Sequence, residues 1–407
     1  MKFLFSPMGT HGFVYPSVGI AKELKQRGYE VAFVTSRDFA EFFKQEGLNR
    51  IPNGRRDRQS FEIPKWGGSI HISIQLKHIE YALERFMPDV LIGSLLGFGS
   101  IFAGKIHELP TAIIGTSTYL FATPETLKHP YLLSAPEKRA VWRSNDFRKT
   151  YNEAGTLFQF QPMTENDFIG DMPLLGDLFF LRNLPDLIEN SSELPQKVHL
   201  IGACNWETSI KAPELESWLK EAKISGYPIL YVQPGAHFGA PSFWPFLVEA
   251  LSEQPIKVVA SIGRKVGVLS HLSLYPNNFY VRDHIPQNQV LPYADGIVSE
   301  GHTSVVLGAL THGVPLMLIP YGGEEIECAE MCIRAGICVG INHKDISVKS
   351  IKEKIQELIQ RPDIRNKAKK IKTLFKKSNS YQNAADLLEH LAITRRPMLR
   401  SEIPAGS

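Results

Sequence analysis

Polar residues able to bind an anion follow a short apolar segment in the last third of the chain. Residues 296–299 read GIVS, and residues 300–304 (EGHTS) come directly after them. A helix is predicted over 304–312, because Gly313 is a typical helix stop and Pro315 prevents the helix from resuming. A helix that begins in such a loop offers free backbone N–H groups and the positive end of its dipole to an anion such as a diphosphate.

The elements around this loop indicate a parallel sheet. Residues 316–320 (LMLIP) form a continuous apolar run, which is typical of a parallel strand buried on both faces. Open α/β sheets bind ligands in the loops at the carboxyl ends of their strands. The polar loop is therefore predicted at a ligand-binding edge.

A glycine-rich turn near the N-terminus is the second candidate for chemistry. The predicted strand 2–6 leads into residues 7–16 (PMGTHGFVYP), and no G-x-G-x-x-G dinucleotide fingerprint opens the next helix. His11 is the one titratable residue of this turn whose ordinary pKa suits a general base near neutral pH. A role in capping or packing the turn is the alternative interpretation.

The β-α-β pattern occurs twice, which predicts two domains. One series opens with strands 2–6 and 29–35, and another with strands 229–233 and 257–261. The pattern predicts two facing Rossmann-like, doubly wound α/β domains with an interdomain cleft. The predicted divisions are a first domain over 1–204, a linker over 205–227, a second domain over 228–378, a helix returning to the first domain over 379–394, and a loose tail over 395–407.

Composition bounds the class of protein. A chain of 407 residues is expected to form two domains, and 43% hydrophobic with 21% charged residues is ordinary for a globular protein. A net charge of +3 is too mild to indicate a nucleic-acid partner. Four cysteines do not indicate a disulfide scaffold, and Cys328 and Cys332 are interpreted as packing residues.

The N-terminus and the apolar segments bear on localisation. The opening MKFLFSPMG has too short an apolar run for a signal peptide and is predicted to be a strand. No stretch approaches the ~20 apolar residues of a membrane span, so no integral membrane segment is expected. The expected compartment is the cytoplasm.

Residues 279–330 resemble the donor-binding signature of the GT-B glycosyltransferases that use nucleotide sugars, the family of natural-product, macrolide and plant-metabolite glucosyltransferases. The resemblance is carried by IPQ at 285–287, LPYAD at 291–295, ALTHGVP at 309–315 and PYGGEE at 320–325. It implies a GT-B fold with an acceptor-binding first domain and a nucleotide-sugar-binding second domain. It also implies an inverting, hexosyltransferase-like enzyme that moves a sugar from a UDP- or TDP-sugar to a small aromatic or apolar natural-product-like acceptor. The nucleotide sugar is then a co-substrate, and neither a cofactor nor a metal is expected.

The resemblance assigns roles to named positions. His284, Ile285 and Gln287 are expected to hold the nucleobase, residues 300–304 the diphosphate, and Glu324 with Glu325 the sugar hydroxyls. The predicted donor-binding residues are Gly235, Ala236, His237, Arg264, His284, Ile285, Gln287, Glu300, Gly301, His302, Thr303, Ser304, Glu324 and Glu325. Phe13 and Tyr119 are predicted on the acceptor side, and His11 is the predicted catalytic residue.

Three positions differ from the family pattern. Glu300 stands where the family has a histidine beside the diphosphate, and a carboxylate there is repulsive. Glu325 stands at a glutamine position and cannot donate a hydrogen bond when ionised. Phe13 occupies the usual base position and cannot take a proton, which leaves His11 as the candidate.

Several alternatives stay open from the sequence. His302 could be a satisfied loop histidine, Arg264 a surface arginine, and the acidic pair an ordinary first helical turn favoured by the dipole. The protein could also be a catalytically inactive glycosyltransferase-fold auxiliary protein, or a GT-B enzyme with an unusual donor. A homodimer or an auxiliary partner protein is compatible with either interpretation.

Overall fold

The computed structural model describes residues 1–52, 59–116, 120–121, 136–164, 167, 172–208, 212–235, 242–263 and 275–403. The chain forms two compact units. Unit 1 contains Met1–Thr116, Glu137–Trp206 and Asn379–Ser407, and unit 2 is formed chiefly by Glu207–Ser378.

Unit 1 is built on a seven-stranded parallel sheet with the order β3-β2-β1-β4-β5-β6-β7. Its strands are β1 (Lys2–Ser6), β2 (Glu30–Phe33), β3 (Asn49–Arg50), β4 (Val90–Ser94), β5 (Thr111–Ile114), β6 (Leu178–Leu181) and β7 (Val198–Leu200). The α-helices of this part are α1 (His11–Gln26), α2 (Ala40–Gln45), α3 (Ser69–Phe86), α4 (Phe98–Ile106) and α5 (Pro136–Thr156).

Helices cover both faces of this sheet, so the side chains of its strands are buried on both sides. Phe3 and Phe5 of β1 join a core that includes residues of α1. Leu4, which points to the opposite face, joins a separate core with Leu76 and Ile79 of α3. The doubly wound architecture predicted from the sequence is confirmed for this unit.

Unit 2 has a six-stranded parallel sheet with the order β10-β9-β8-β11-β12-β13. Its strands are β8 (Ile229–Gln233), β9 (Lys257–Ser261), β10 (Phe279–Arg282), β11 (Gly296–Ser299), β12 (Leu316–Leu318) and β13 (Cys338–Gly340). Its α-helices are α6 (Pro213–Ile224), α7 (Trp244–Leu251), α8 (Gln287–Val290), α9 (Thr303–His312), α10 (Glu325–Arg334), α11 (Val348–Gln360) and α12 (Pro362–Lys377).

The strand order of unit 2 reverses between β8 and β11. The chain runs from β8 outward to β10 on one side, then returns to lay β11, β12 and β13 on the other. Loops that leave two neighbouring strands in opposite directions open a crevice at the carboxyl edge, which is where doubly wound sheets bind ligands. Residues 300–304 and Gly235 both follow strands at this point.

The predicted linker over 205–227 is wrong in its second half. Helix α6 occupies Pro213–Ile224, with Pro213 in its first turn and with Leu215, Leu219 and Ala222 buried. Apolar residues spaced by four and three bury one helical face. The sequence contains this spacing, but the acidic residues between the apolar ones make the segment resemble an exposed linker.

The last helix, α13 (Ser380–Thr394), packs in unit 1, where Leu387, Leu388 and Leu391 join the core that contains Phe3 and Phe5. Its approach to α1 is close, since a Cβ added to Gly19 would lie 2.4 Å from the ring of Tyr381. The ion pairs of Arg27 with Asp386 (2.6 Å) and Glu389 (2.9 Å) join the two helices at their surface.

The tail predicted to be loose is held to unit 1 as far as residue 403. The Arg400 guanidinium donates to the backbone carbonyls of Ser191 (2.6 Å) and Leu194, and Met398 and Ile403 pack against the core. The sequence does not predict this attachment, because a few isolated contact residues in residues 395–403 give no hydrophobic periodicity. Within the described residues, no helix is both long and apolar enough to cross a membrane.

Candidate functional site

The candidate site of unit 2 lies at the carboxyl ends of β8, β11 and β12. Glu300 follows β11 directly and is fully buried. Gly235 follows β8, and a Cβ added to it would lie 2.2 Å from Glu300 Oε2 and 2.4 Å from His302 Nε2. Only glycine fits at this position, because any side chain would displace the carboxylate and the imidazole.

His302 sits between two carboxylates. It is the N-cap residue of α9, and its Nε2 lies 3.7 Å from Glu300 Oε2 and 3.4 Å from Glu325 Oε1. Its side chain is 34% exposed, whereas both glutamates are 0% exposed. The imidazole therefore forms the solvent-facing side of the cluster.

Glu325 is the first residue of α10 and is held by backbone groups of the loop after β12. Its Oε2 accepts hydrogen bonds from the N–H groups of Tyr321 (2.9 Å) and Gly322 (3.2 Å). Burial, and then the neighbouring Glu300 carboxylate, raise the pKa of Glu325 to about 9, against the opposing effect of these two N–H groups. Protonation of Glu325 is thus favoured over that of an ordinary glutamate, and a protonated carboxyl can donate a hydrogen bond where an ionised carboxylate cannot.

Gly301 lets the two loops approach each other. Its φ of +108° lies in the region that favours glycine, and an added Cβ would be 3.1 Å from the backbone oxygen of Glu325. As a result, Glu300, His302 and Glu325 each offer one ligand atom, and these atoms lie within 4.8 Å of one another.

The start of α9 is less open than the sequence indicated. Glu324 Oε1 accepts a hydrogen bond from the Thr303 N–H (3.2 Å), so this carboxylate occupies one of the backbone donors expected to face a diphosphate. The Thr303 hydroxyl lies 3.5 Å from Cys328 Sγ and is buried. Ser304 offers its carbonyl to Gln287 Nε2 at 3.4 Å, so it contacts the segment predicted to hold the nucleobase.

That segment follows β10 at the same edge of the sheet. His284 is exposed, while Ile285 is buried and its N–H donates to Ser261 Oγ (3.2 Å). Gln287 is buried, and its Nε2 donates to Glu207 Oε1 at 2.8 Å. The amide nitrogen of Gln287 is therefore committed to the protein, whereas its buried Oε1 accepts no hydrogen bond from the described residues.

Glu207 is a residue that sequence reasoning missed. Burial raises its pKa to about 7, although the hydrogen bond from Gln287 favours the ionised form. The two residues are 80 positions apart in sequence, and no local pattern could have paired them.

In unit 1, His11 is the first residue of α1 and follows the carboxyl end of β1. It is exposed, and its ring meets those of Tyr15 (5.0 Å between centroids) and Phe39 (5.2 Å) edge to face. Phe13, two residues further along, is half-buried. The buried guanidinium of Arg182 donates a hydrogen bond to the Gly12 carbonyl at 3.2 Å, which holds the start of α1 in place.

The structure thus brings together Gly235, Glu300, Gly301, His302, Thr303, Glu324 and Glu325. Ser304 and Gln287 link this group to Ile285 and His284. Four predicted site residues, namely Tyr119, Ala236, His237 and Arg264, lie outside the described residues. The roles predicted for individual residues stay predictions.

Two family models match the chain, one in each half. Residues 3–116 match the glycosyltransferase family 28 N-terminal domain, and residues 247–390 match the C-terminal domain of erythromycin biosynthesis protein CIII-like. The second match contains the candidate-site loops that follow β11 and β12, but not Gly235.

Relatives and solved structures agree over nearly the full length. The chain is 24% identical to 4'-demethylrebeccamycin synthase of Lentzea aerocolonigenes, over 93% of this chain and 97% of the relative. The structure of CalG4, the calicheamicin glycosyltransferase, superposes with a TM-score of 0.69 at 20% identity, covering 97% and 98% of the two chains. The structure of the glycosyltransferase VinC in complex with dTDP gives a TM-score of 0.69 at 16% identity, covering 97% and 100%. The chain therefore belongs to the GT-B glycosyltransferases of natural-product type, enzymes that transfer a sugar.

Proposed function

We propose that this enzyme is an inverting glycosyltransferase that takes its sugar from a UDP- or TDP-sugar and passes it to a small aromatic or apolar acceptor of natural-product type. The observation that carries the proposal is the group of loops at the switch point of unit 2, where Gly235, the start of α9 and the start of α10 meet. These are the loops in which the family resemblance places the diphosphate and the sugar. The dTDP bound by the structural relative VinC supports this class of donor.

In the proposed reaction the bond between C1 of the sugar and the diphosphate oxygen breaks, and the nucleoside diphosphate leaves with the electron pair. The acceptor oxygen attacks C1 from the opposite face, so the anomeric configuration inverts. The acceptor proton passes to a base. Protein groups that stabilise the charge developing on the leaving diphosphate lower the barrier most.

His11 is the proposed base, because its exposed imidazole stands at the carboxyl end of β1 and is held by two aromatic rings. The aromatic contacts limit how far the ring can turn. Phe13 would then contribute apolar surface to acceptor binding, which suits a ring-containing acceptor.

The test is turnover of a panel of UDP- and TDP-sugars by the purified full chain with aromatic and macrolide-type acceptors. Release of nucleoside diphosphate together with a glycosylated product of inverted configuration, identified by mass spectrometry and NMR, is the expected result. Nucleotide-sugar binding should also raise the melting temperature. The absence of both binding and turnover across the panel would overturn the proposal.

A further inference from the structure

Helix α12 of unit 2 presents an exposed face that is rich in lysine. Its buried residues are Ile364, Ala368, Ile371 and Phe375, and their spacing of four, three and four places them on one side of the helix. The opposite side faces solvent over a length of about 24 Å, since each helical residue adds about 1.5 Å. We define the basic face as the exposed lysines of that side, which are Lys369, Lys370, Lys376 and Lys377.

The basic face lacks neighbouring carboxylates. Helix α6 of the same unit shows the usual arrangement, in which Lys220 pairs with Glu216 one turn away at 2.8 Å. On α12 the one carboxylate is Asp363, which Arg361 holds at 2.6 Å. Within the part of the chain that the structure describes, no ion pair reaches a lysine of the basic face. Its charge is therefore not neutralised by these residues.

Like charges follow one another along α12. Lys369 lies one turn after Arg365, and Lys376 lies one turn after Lys372. Like charges four residues apart destabilise a helix. The helix dipole accounts only for Lys376 and Lys377, because it favours cations in the last turn alone. An anionic partner would offset the repulsion among the others.

The composition of the face favours a lipid surface over a protein or a nucleic acid. Over residues 365–377, which the structure describes throughout, no apolar or aromatic side chain is exposed. The face therefore lacks the apolar centre of a typical protein interface and any ring on which bases could stack. Lysine is a compact point charge, which suits a diffuse layer of headgroups better than bidentate recognition of one phosphate.

We propose that the basic face binds the surface of a membrane that contains anionic phospholipid. The binding is peripheral and electrostatic, because the apolar side of α12 is already buried in the protein. Each lysine at such a surface strengthens binding roughly fivefold, so that four together give roughly several hundredfold. Attachment would bring the enzyme to an apolar acceptor dissolved in the lipid, and this consequence alone rests on the proposed function.

The experiment sediments the purified full chain with vesicles, in the absence of nucleotide and acceptor. Vesicles of phosphatidylcholine mixed with phosphatidylglycerol should bind the chain at least about tenfold more tightly than vesicles of phosphatidylcholine alone. The difference should shrink as the salt concentration rises, because salt screens exposed charges. A variant that combines Lys369→Gln, Lys370→Gln, Lys376→Gln and Lys377→Gln should lose the preference, and circular dichroism checks that it is folded.

A second variant is the matched control, because it removes the same charge from exposed lysines on α2, α3 and α6. It combines Lys44→Gln, Lys77→Gln, Lys220→Gln and Lys223→Gln, and it should keep the preference for anionic vesicles. Equal binding of the unchanged chain to both kinds of vesicle, or equal loss in the two variants, would overturn the inference. So would binding of a DNA oligonucleotide through the basic face without any vesicle binding, which would assign the face to nucleic acid.

The proposed function is tested apart from the lipid surface. Turnover of a water-soluble acceptor should be the same for the unchanged chain and for the variant of the basic face, because these lysines lie outside the candidate site. Vesicle binding without turnover of any nucleotide sugar would count against the proposed function and would leave the lipid surface supported. Turnover without a preference for anionic vesicles would do the reverse.

Discussion

At the scale of single residues, Gly235 decides whether the candidate site can form. We expect Gly235→Ala to lower sugar-transfer turnover at least tenfold and to destabilise the protein by about 1–3 kcal/mol, because the new methyl group would overlap the buried Glu300 carboxylate and the His302 imidazole and force both to shift. Turnover and chemical denaturation are the measurements. Gly155→Ala is the matched control, since its Cβ would meet Phe102 at an ordinary 3.6 Å. Equal behaviour of the two variants would contradict the crowding described here.

His11 carries a separate prediction at the same scale. If its imidazole takes the acceptor proton, His11→Ala should lower kcat about 100-fold or more while changing KM for the nucleotide sugar little, because general bases contribute roughly 10²–10⁴-fold. The acidic limb of the pH–rate profile, which reports protonation of the base, should be absent in His11→Ala. His390→Ala, on α13 of the same unit, serves as control. Unchanged turnover of His11→Ala would remove this histidine from the mechanism.

At the scale of elements, the contact between Glu207 and Gln287 ties the segment before α6 to the start of α8. The pKa of Glu207 is raised to about 7 from 4.5, so the folded protein binds this proton more tightly than the unfolded chain does. Stability from this group is complete below about pH 4.5 and is lost as the pH rises through about 7. The loss should be about 3.5 kcal/mol, since the pKa differs by about 2.5 between the folded and unfolded states and one pKa unit corresponds to about 1.4 kcal/mol.

The measurement is the free energy of unfolding from pH 5 to 8, for the chain and for Glu207→Gln. The difference between the two should change with pH as described, because all other titrating groups, Glu325 included, are common to both. A difference that stays constant over this range would show that Glu207 titrates normally in the folded state.

At the scale of the whole molecule, α13 completes unit 1 from the far end of the sequence. Its three buried leucines contribute roughly 1.5–3 kcal/mol each, a sum comparable to the total stability of an ordinary domain. Removing residues 379–407 should therefore unfold unit 1 and leave unit 2 folded. Hydrogen exchange with mass spectrometry should find lost protection in β1 and α1 and retained protection in β8 and β11. Protection retained throughout would mean that the other helices suffice.

Local signals in the sequence predicted most of the regular elements. The strand expected at 257–261 is Lys257–Ser261, and Gly313 ends α9 in the left-handed conformation with a φ of +69°. Such features follow from a few adjacent residues, namely an apolar run or a glycine followed by a proline. The GT-B fold expected from the motifs at 285–325 is likewise confirmed.

Contacts between distant residues could not be predicted in this way. The N–H of Thr303 is taken by Glu324, which lies 21 residues later, and only the folded loops show it. The raised pKa of Glu325 depends on its burial and on Glu300, neither of which its position in the first turn of a helix reveals. Sequence reasoning therefore located the loops of the candidate site but not the protonation and pairing inside them.

The return of the chain to unit 1 has a consequence for biosynthesis. Residues 380–394 emerge from the ribosome only after the whole of unit 2 has been made, yet they cover one face of the first sheet. Unit 1 must therefore expose apolar surface until unit 2 has been synthesised. This reverses the usual order, in which the N-terminal domain is completed first during translation. Nascent chains of this enzyme are for that reason expected to need chaperone protection until residues 380–394 have emerged.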